Sequence, residues 1–156
     1  MQIVSFRSLI RCAAALAVVI LVALAGVASA GPAGGKWKGK VQGIYGVVTF
    51  KVSSNGKKLV HFRMKGGYGT LHCGSTLGET ITSTTITFAS AKIKGNKVSA
   101  THTRTAAGAT YRDRLNIRFS GRTAKGSVRE DVFNGPTVSS PEECSSGTLK
   151  FKAHRA

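Results

Sequence analysis

An antiparallel all-β domain, a barrel or a sandwich of about seven to nine short strands, is the fold this sequence predicts. Three observations predict it. Apolar residues recur at every second position through most of the chain, the period of a strand with one buried face. Turn signals rich in Gly, Asn and Ser separate those runs at short intervals. Nothing after Gly31 has the apolar spacing of a long amphipathic helix.

The chain begins with a segment that removes itself from the fold. Arg7 and Arg11 supply a short positive start, residues 12–27 (CAAALAVVILVALAGV) are uninterruptedly apolar, and Ala28-Ser29-Ala30 is a small-x-small cleavage signal. This is the three-part layout of a secretory signal peptide. The apolar run is shorter than the roughly 20 residues a membrane span needs. Cys12 directly follows Arg11, too early for a lipoprotein site. Cleavage after Ala30 leaves residues 31–156, the size of one domain, with 31–35 as a flexible lead-in and the β-domain at 36–156. The expected product is secreted, extracellular or held at the cell envelope, with no transmembrane segment after cleavage.

The strands follow in order. Val48, Phe50 and Val52 alternate with Thr49 and Lys51, and Ser53-Ser54-Asn55-Gly56 is a tight hairpin turn. The return strand places Val60, Phe62 and Met64 inward, with Leu59, His61, Arg63 and Lys65 outward, so residues 47–65 read as a hairpin. Gly66-Gly67-Tyr68-Gly69 reads as a loop or bulge. Ile86 and Phe88 mark a Thr-rich strand, and Ile93 and Val98 flank a second turn at Lys94-Gly95-Asn96-Lys97. Leu115, Ile117 and Phe119 alternate with Arg114, Asn116 and Arg118. Ser120-Gly121-Arg122 then turns the chain into a strand through Ala124, Gly126 and Val128. Residues 134–147 (NGPTVSSPEECSSG) read as a long loop, before Leu149, Phe151 and Ala153 end the domain.

Cysteine usage fits an exported protein. Cys12 leaves with the signal peptide, and the remaining even pair, Cys73 and Cys144, reads as a disulfide. Closing a loop of about 70 residues is worth roughly 4 kcal/mol in the chain-entropy model.

Three segments carry a resemblance. They are Trp37-Lys38-Gly39-Lys40 followed by Val47 to Val52, then Phe119-Ser120-Gly121-Arg122-Thr123-Ala124-Lys125-Gly126-Ser127-Val128, and finally Cys144-Ser145-Ser146-Gly147 with Phe151 and Ala153-His154-Arg155. With them the chain resembles a loose group of uncharacterised, exported β-domains from high-GC Gram-positive bacteria. The resemblance implies the β fold and the pairing of an early with a late cysteine. It implies no activity.

Candidate chemistry is sparse. Gly74-Ser75-Thr76-Leu77-Gly78 has Thr76 where a nucleophile elbow carries serine and reads as a glycine-rich turn. Glu130 and Asp131 are neighbours, so on a strand they point to opposite faces and do not form a catalytic pair. Glu142 and Glu143 read as solvated loop charge. His61, His72, His102 and His154 lack the short spacing of a zinc site, and His61, His102 and His154 are placed outward. No catalytic residue, metal or cofactor is expected.

Charge is the strongest functional signal. Loss of Arg7 and Arg11 takes the net charge from +17 to +15, an excess that attracts polyanions. Arg112, Arg114 and Arg118 share one strand face, with Arg104 before them and Arg122 in the next turn. Lys150 and Lys152 repeat the pattern, as do Lys36, Lys38 and Lys40. The expected role is a non-catalytic binding domain for anionic envelope polymers (teichoic acid, acidic polysaccharide or lipid headgroups), with Arg104, Arg112, Arg114, Arg118, Arg122, Lys150 and Lys152 as the contacts. The alternative is a basic face that serves solubility alone, since period-two strands must place polar residues outside. Charge alone also predicts non-specific, salt-sensitive binding of nucleic acid in vitro. Sequence-selective recognition would need stacking platforms, yet every mature Phe except Phe133 takes a core position. Trp37 and Tyr68 lie beside lysines or glycines, which leaves two readings open, exposure at the surface or closure of a barrel end. The competing classes are a small barrel holding an apolar ligand inside and, behind it, an unrecognised exported enzyme.

Overall fold

The computed structural model describes residues 31–70, 72–73, 80–135, 137 and 142–156, with the backbone alone for 67–70, 80–84, 142 and 143. The signal-peptide reading of 1–30 and the turn at 74–78 lie outside the described residues. Ten strands follow one another: β1 (Gly35–Val41), β2 (Gly46–Val52), β3 (Lys58–Thr70), β4 (His72–Cys73), β5 (Thr80–Lys94), β6 (Lys97–Ala106), β7 (Ala109–Ser120), β8 (Thr123–Phe133), β9 (Glu142–Ser145) and β10 (Leu149–Arg155). Eight of them close into an antiparallel barrel in the order β1-β2-β3-β5-β6-β7-β8-β10, with β10 pairing to both β8 and β1. Closure removes the free edges that a sandwich would keep. Among the described residues no helix is long and apolar enough to cross a membrane.

Tight turns set the register. In the β2–β3 turn the Asn55 side chain accepts from the Ser53 hydroxyl at 2.7 Å and from the Lys57 amide at 3.1 Å. Two-residue connections join Lys94 to Lys97, Ala106 to Ala109 and Ser120 to Thr123. Each carries a glycine at positive φ, at Gly95, Gly108 and Gly121.

The barrel interior is filled by side chains. Trp37 stacks on Phe50 at 5.7 Å and meets Phe119 edge-on at 5.3 Å, while Phe62 contacts Phe50, Phe88 and Phe151. Each ring contact adds about 0.5–1.5 kcal/mol beyond the area it buries. Trp37 is therefore core, 1 % exposed, which decides against the surface reading its lysine neighbours left open. Two glycines let β10 seat itself. A Cβ on Gly39 would lie 2.2 Å from the Lys152 carbonyl oxygen, and one on Gly126 would lie 2.4 Å from the Phe151 ring.

The simple alternation fails in three places. Leu59 is fully buried, not outward, because a bulge at His61 (φ 52°) shifts the β2–β3 register between Thr49 and Lys51. Leu59 and Phe62 thus both reach the core, and Val60 turns away. Residues 66–69 are not a loop but part of β3, paired with β5 up to Thr70↔Thr80. Residues 142–145, within the expected long loop, form β9 on the far half of β8, so the Glu142–Glu143 stretch is strand. At the N-terminal end, Pro32 is buried and Gly31 and Gly34 lie against the β2–β3 turn.

Cys73 and Cys144 occupy one rung between β4 and β9 and are joined by a disulfide with an S–S distance of 1.99 Å. The bond ties β4 to β9 across a separation of 71 residues, and β9 in turn pairs with β8 of the barrel. Reduction, or Cys73→Ser with Cys144→Ser, is expected to cost about 4 kcal/mol. Thermal unfolding with and without reductant reads this as a fall in Tm of roughly 15 °C.

Candidate functional site

On the outer wall, register converts separate strand faces into one row. Lys94 pairs with Lys97, Lys97 with Arg118, Arg118 with Lys125, Lys125 with Lys152, and Lys152 with Lys40. The row continues through Val47 to Lys65. Seven of the eight barrel strands thus each contribute one cation to the row, and all seven are exposed. At about 4.8 Å per strand the row is roughly 34 Å long. It starts on β5 at Lys94 and returns to β5 opposite Lys65 at Thr85, so it winds helically around the wall.

Such a row is costly to the fold. Like charges directly opposite one another on neighbouring strands each destabilise by up to about 1 kcal/mol. Basic residues placed only for solubility would be dispersed or alternated with acids. Here the three acids whose side chains are described, Asp113, Glu130 and Asp131, are all buried. Arg7 and Arg11 lie outside the described residues, and Arg104, Arg112, Arg114 and Arg129 pair with these carboxylates. The remaining 17 of the 23 Lys and Arg have no ion pair among the described residues.

Structure divides the seven sequence-expected contacts into three groups. Arg118 and Lys152 lie in the row. Lys150 is exposed one step along β10, and Arg122 is exposed in the β7–β8 turn. Arg112 and Arg114 do share the outer face of β7 with Arg118, but they converge on Asp131 together with Arg129. Asp131 is fully buried and also accepts from the Ser145 hydroxyl at 3.2 Å. Burial pushes its carboxyl upward, but the hydrogen bonds from Arg129 and Arg114 outweigh this and hold it below its ordinary value. These arginines fasten β7 and β8 beneath β9, and Arg112 additionally covers the Phe133 ring at 4.7 Å.

Arg104 forms the third group, on the barrel's inner side. β5 and β6 share two rungs, Ile93↔Val98 and Lys94↔Lys97, and β6 then continues against β7 alone. Beyond those rungs His102 and Arg104 of β6, Tyr111 and Asp113 of β7 and Glu130 of β8 share the core-facing side. His102 stands on the face of β6 that carries Val98, yet its side chain is half exposed. Its ring meets Phe88 at 6.2 Å, and its Nδ1 lies 3.8 Å from Asp113. The Arg104 guanidinium donates to Glu130 at 2.7 Å, approaches Asp113 at 3.7 Å and covers the Tyr111 ring at 4.0 Å. Glu130 and Asp131 point to opposite faces as expected, but Glu130 meets Asp113 across the strand pair. Burial, followed by the neighbouring Asp113, pushes the Glu130 carboxyl up to about 7, and burial also raises Asp113. The two carboxyls act as a coupled acid pair around one arginine.

Sequence reasoning missed Lys65, Lys94, Lys97 and Lys125 as site members, and it placed Lys40 in a separate stripe. It read cations along each strand, whereas the site runs across strands. The turns held the missing signal. A two-residue turn at Gly95-Asn96 sets Lys94 opposite Lys97, and one at Gly121-Arg122 sets Arg118 opposite Lys125. Among the described residues no group of three or more His, Cys, Asp or Glu is placed to hold a metal ion. No family model, curated protein or solved structure matches the chain.

Proposed function

We propose that this protein is an exported, non-catalytic domain that binds a flexible anionic polymer of the cell envelope through the helical row of Lys94, Lys97, Arg118, Lys125, Lys152, Lys40 and Lys65. The observation that carries this reading is the alignment of exposed cations on seven of the eight barrel strands, while every acid with a described side chain is buried. Five neighbouring like-charge contacts serve no packing purpose. A bound polyanion would neutralise them all and release their counterions. The signal-peptide layout of residues 1–30 and the Cys73–Cys144 pair support export.

The shape of the row favours a chain over a lipid surface. It winds around a closed wall, and a flat bilayer touches only the few strands turned toward it. A flexible polymer can follow the curvature and meet every cation in turn.

Retention of the secreted, oxidised protein on cell walls prepared with and without their anionic polymers tests this reading. Retention should require those polymers. Exchanging Lys40, Arg118, Lys125 and Lys152 together for Gln should weaken it about a hundredfold at low salt. Removing four exposed lysines away from the row (Lys36, Lys51, Lys57 and Lys58) lowers net charge equally and should weaken it far less. Equal losses in the two variants would show that total charge, not the row, is responsible.

A further inference from the structure

The row has one position without a cation, and that position is apolar. Between Lys40 and Lys65 it passes through Val47, which is 41 % exposed. Beside it, in the β1–β2 connection, Tyr45 is 88 % exposed. These are the two large apolar side chains presented by the described surface. A groove lined by Lys40, Val41, Ile44, Tyr45, Val47 and Lys65 joins them, so its apolar floor is flanked by two members of the row.

We infer that the polymer held by the row is an acidic polysaccharide, and that Tyr45 and Val47 receive the C–H face of one of its uronate rings. The inference rests on the polyanion reading and narrows it to a substrate class. The apolar groove set between two cations of the row carries it. An exposed tyrosine offers a broad, rigid contact face at small entropic cost. The ring of a uronate has an apolar C–H face next to its carboxylate, matching a groove whose floor is apolar and whose rims are Lys40 and Lys65. A bare phosphate chain has no such face and would leave Tyr45 and Val47 without a role.

The test uses two probes of matched length, alginate as a polyuronate and inorganic polyphosphate, with the secreted, oxidised protein. The parent should bind both probes through the row. Tyr45→Ala should lose about tenfold on alginate and little on polyphosphate, the effect of removing one stacking platform. Because Tyr45 is almost wholly exposed, this variant keeps the parent fold. Neutralising Lys40, Arg118, Lys125 and Lys152 should weaken both probes. No effect of Tyr45→Ala on alginate, or an equal loss on both probes, would overturn the sugar assignment and leave the basic row standing. Unchanged binding of both probes after neutralisation would overturn the polyanion reading itself.

Discussion

Asp131→Asn is expected to lower the stability of the domain by about 3 kcal/mol, although the change preserves side-chain shape. Asp131 is fully buried and compensates Arg112, Arg114 and Arg129 at once. Losing its charge leaves three guanidiniums converging without an anion. The three arginines are 28 %, 41 % and 37 % exposed. They can therefore rehydrate in part, which holds the cost at the lower end of the range for breaking a buried pair. Thermal unfolding should show Tm falling by roughly 10 °C. Arg118→Gln, on the same face of β7 but in the exposed row, relieves the like-charge contacts with Lys97 and Lys125 and should leave Tm unchanged or raise it by a few degrees. Equal effects of the two substitutions would show that the Asp131 cluster does not hold β7, β8 and β9 together.

Stability is also expected to fall between about pH 4.5 and pH 7, the reverse of the usual acid profile. Glu130 is raised from 4.5 to about 7, by burial first and then by Asp113. A carboxyl whose folded value exceeds its unfolded value binds its proton more tightly in the folded state. Its contribution is complete below pH 4.5 and is lost as pH rises through 7, by about 3 kcal/mol in all. Asp113, raised in the same direction by burial, adds to the effect, while Arg104 opposes both. Asp131 acts at the other end. Its folded value is lowered, so its contribution holds above its ordinary 3.8 and is lost as pH falls through the depressed value. Maximum stability therefore lies near pH 4–5. Tm at pH 5 should exceed Tm at pH 8 by roughly 10 °C. Glu130→Gln, which fixes the neutral form, should remove most of that difference. A flat Tm in the parent over this range would contradict the buried acid pair.

Alternating residues made the fold legible in the sequence because a half-buried strand exposes its period directly. Leu115, Ile117 and Phe119, and likewise Phe151 and Ala153, are buried where alternation places them. Leu59 escaped because one extra residue at His61 reverses the faces beyond it, and a bulge leaves no periodic trace. Trp37 stayed undecided because its basic neighbours sit on the opposite face of the same strand. Cys73 and Cys144 were legible from compartment and count, whereas β9 was hidden in a Ser-, Pro- and Glu-rich segment whose strand character comes from its pairing with β8. The candidate site was half legible. Composition revealed that basic residues dominate the surface, and turn spacing could have aligned Arg118 with Lys125. Joining β10 to both β1 and β8 required barrel closure, which alternation cannot reveal. The carboxylate partners of Arg104, Arg112 and Arg114 were invisible for the same reason. A positive strand face looks alike whether its guanidiniums meet solvent or a buried aspartate.

The most direct test of the basic row is the salt dependence of its binding to an anionic polysaccharide. If the seven aligned cations act together, the logarithm of affinity should fall against the logarithm of salt concentration with a slope of roughly −5. The variant neutralised at Lys40, Arg118, Lys125 and Lys152 should give roughly −2, and the control lacking Lys36, Lys51, Lys57 and Lys58 should stay close to the parent. Identical slopes for the row variant and the control would contradict the account, because the surface would then act through net charge alone.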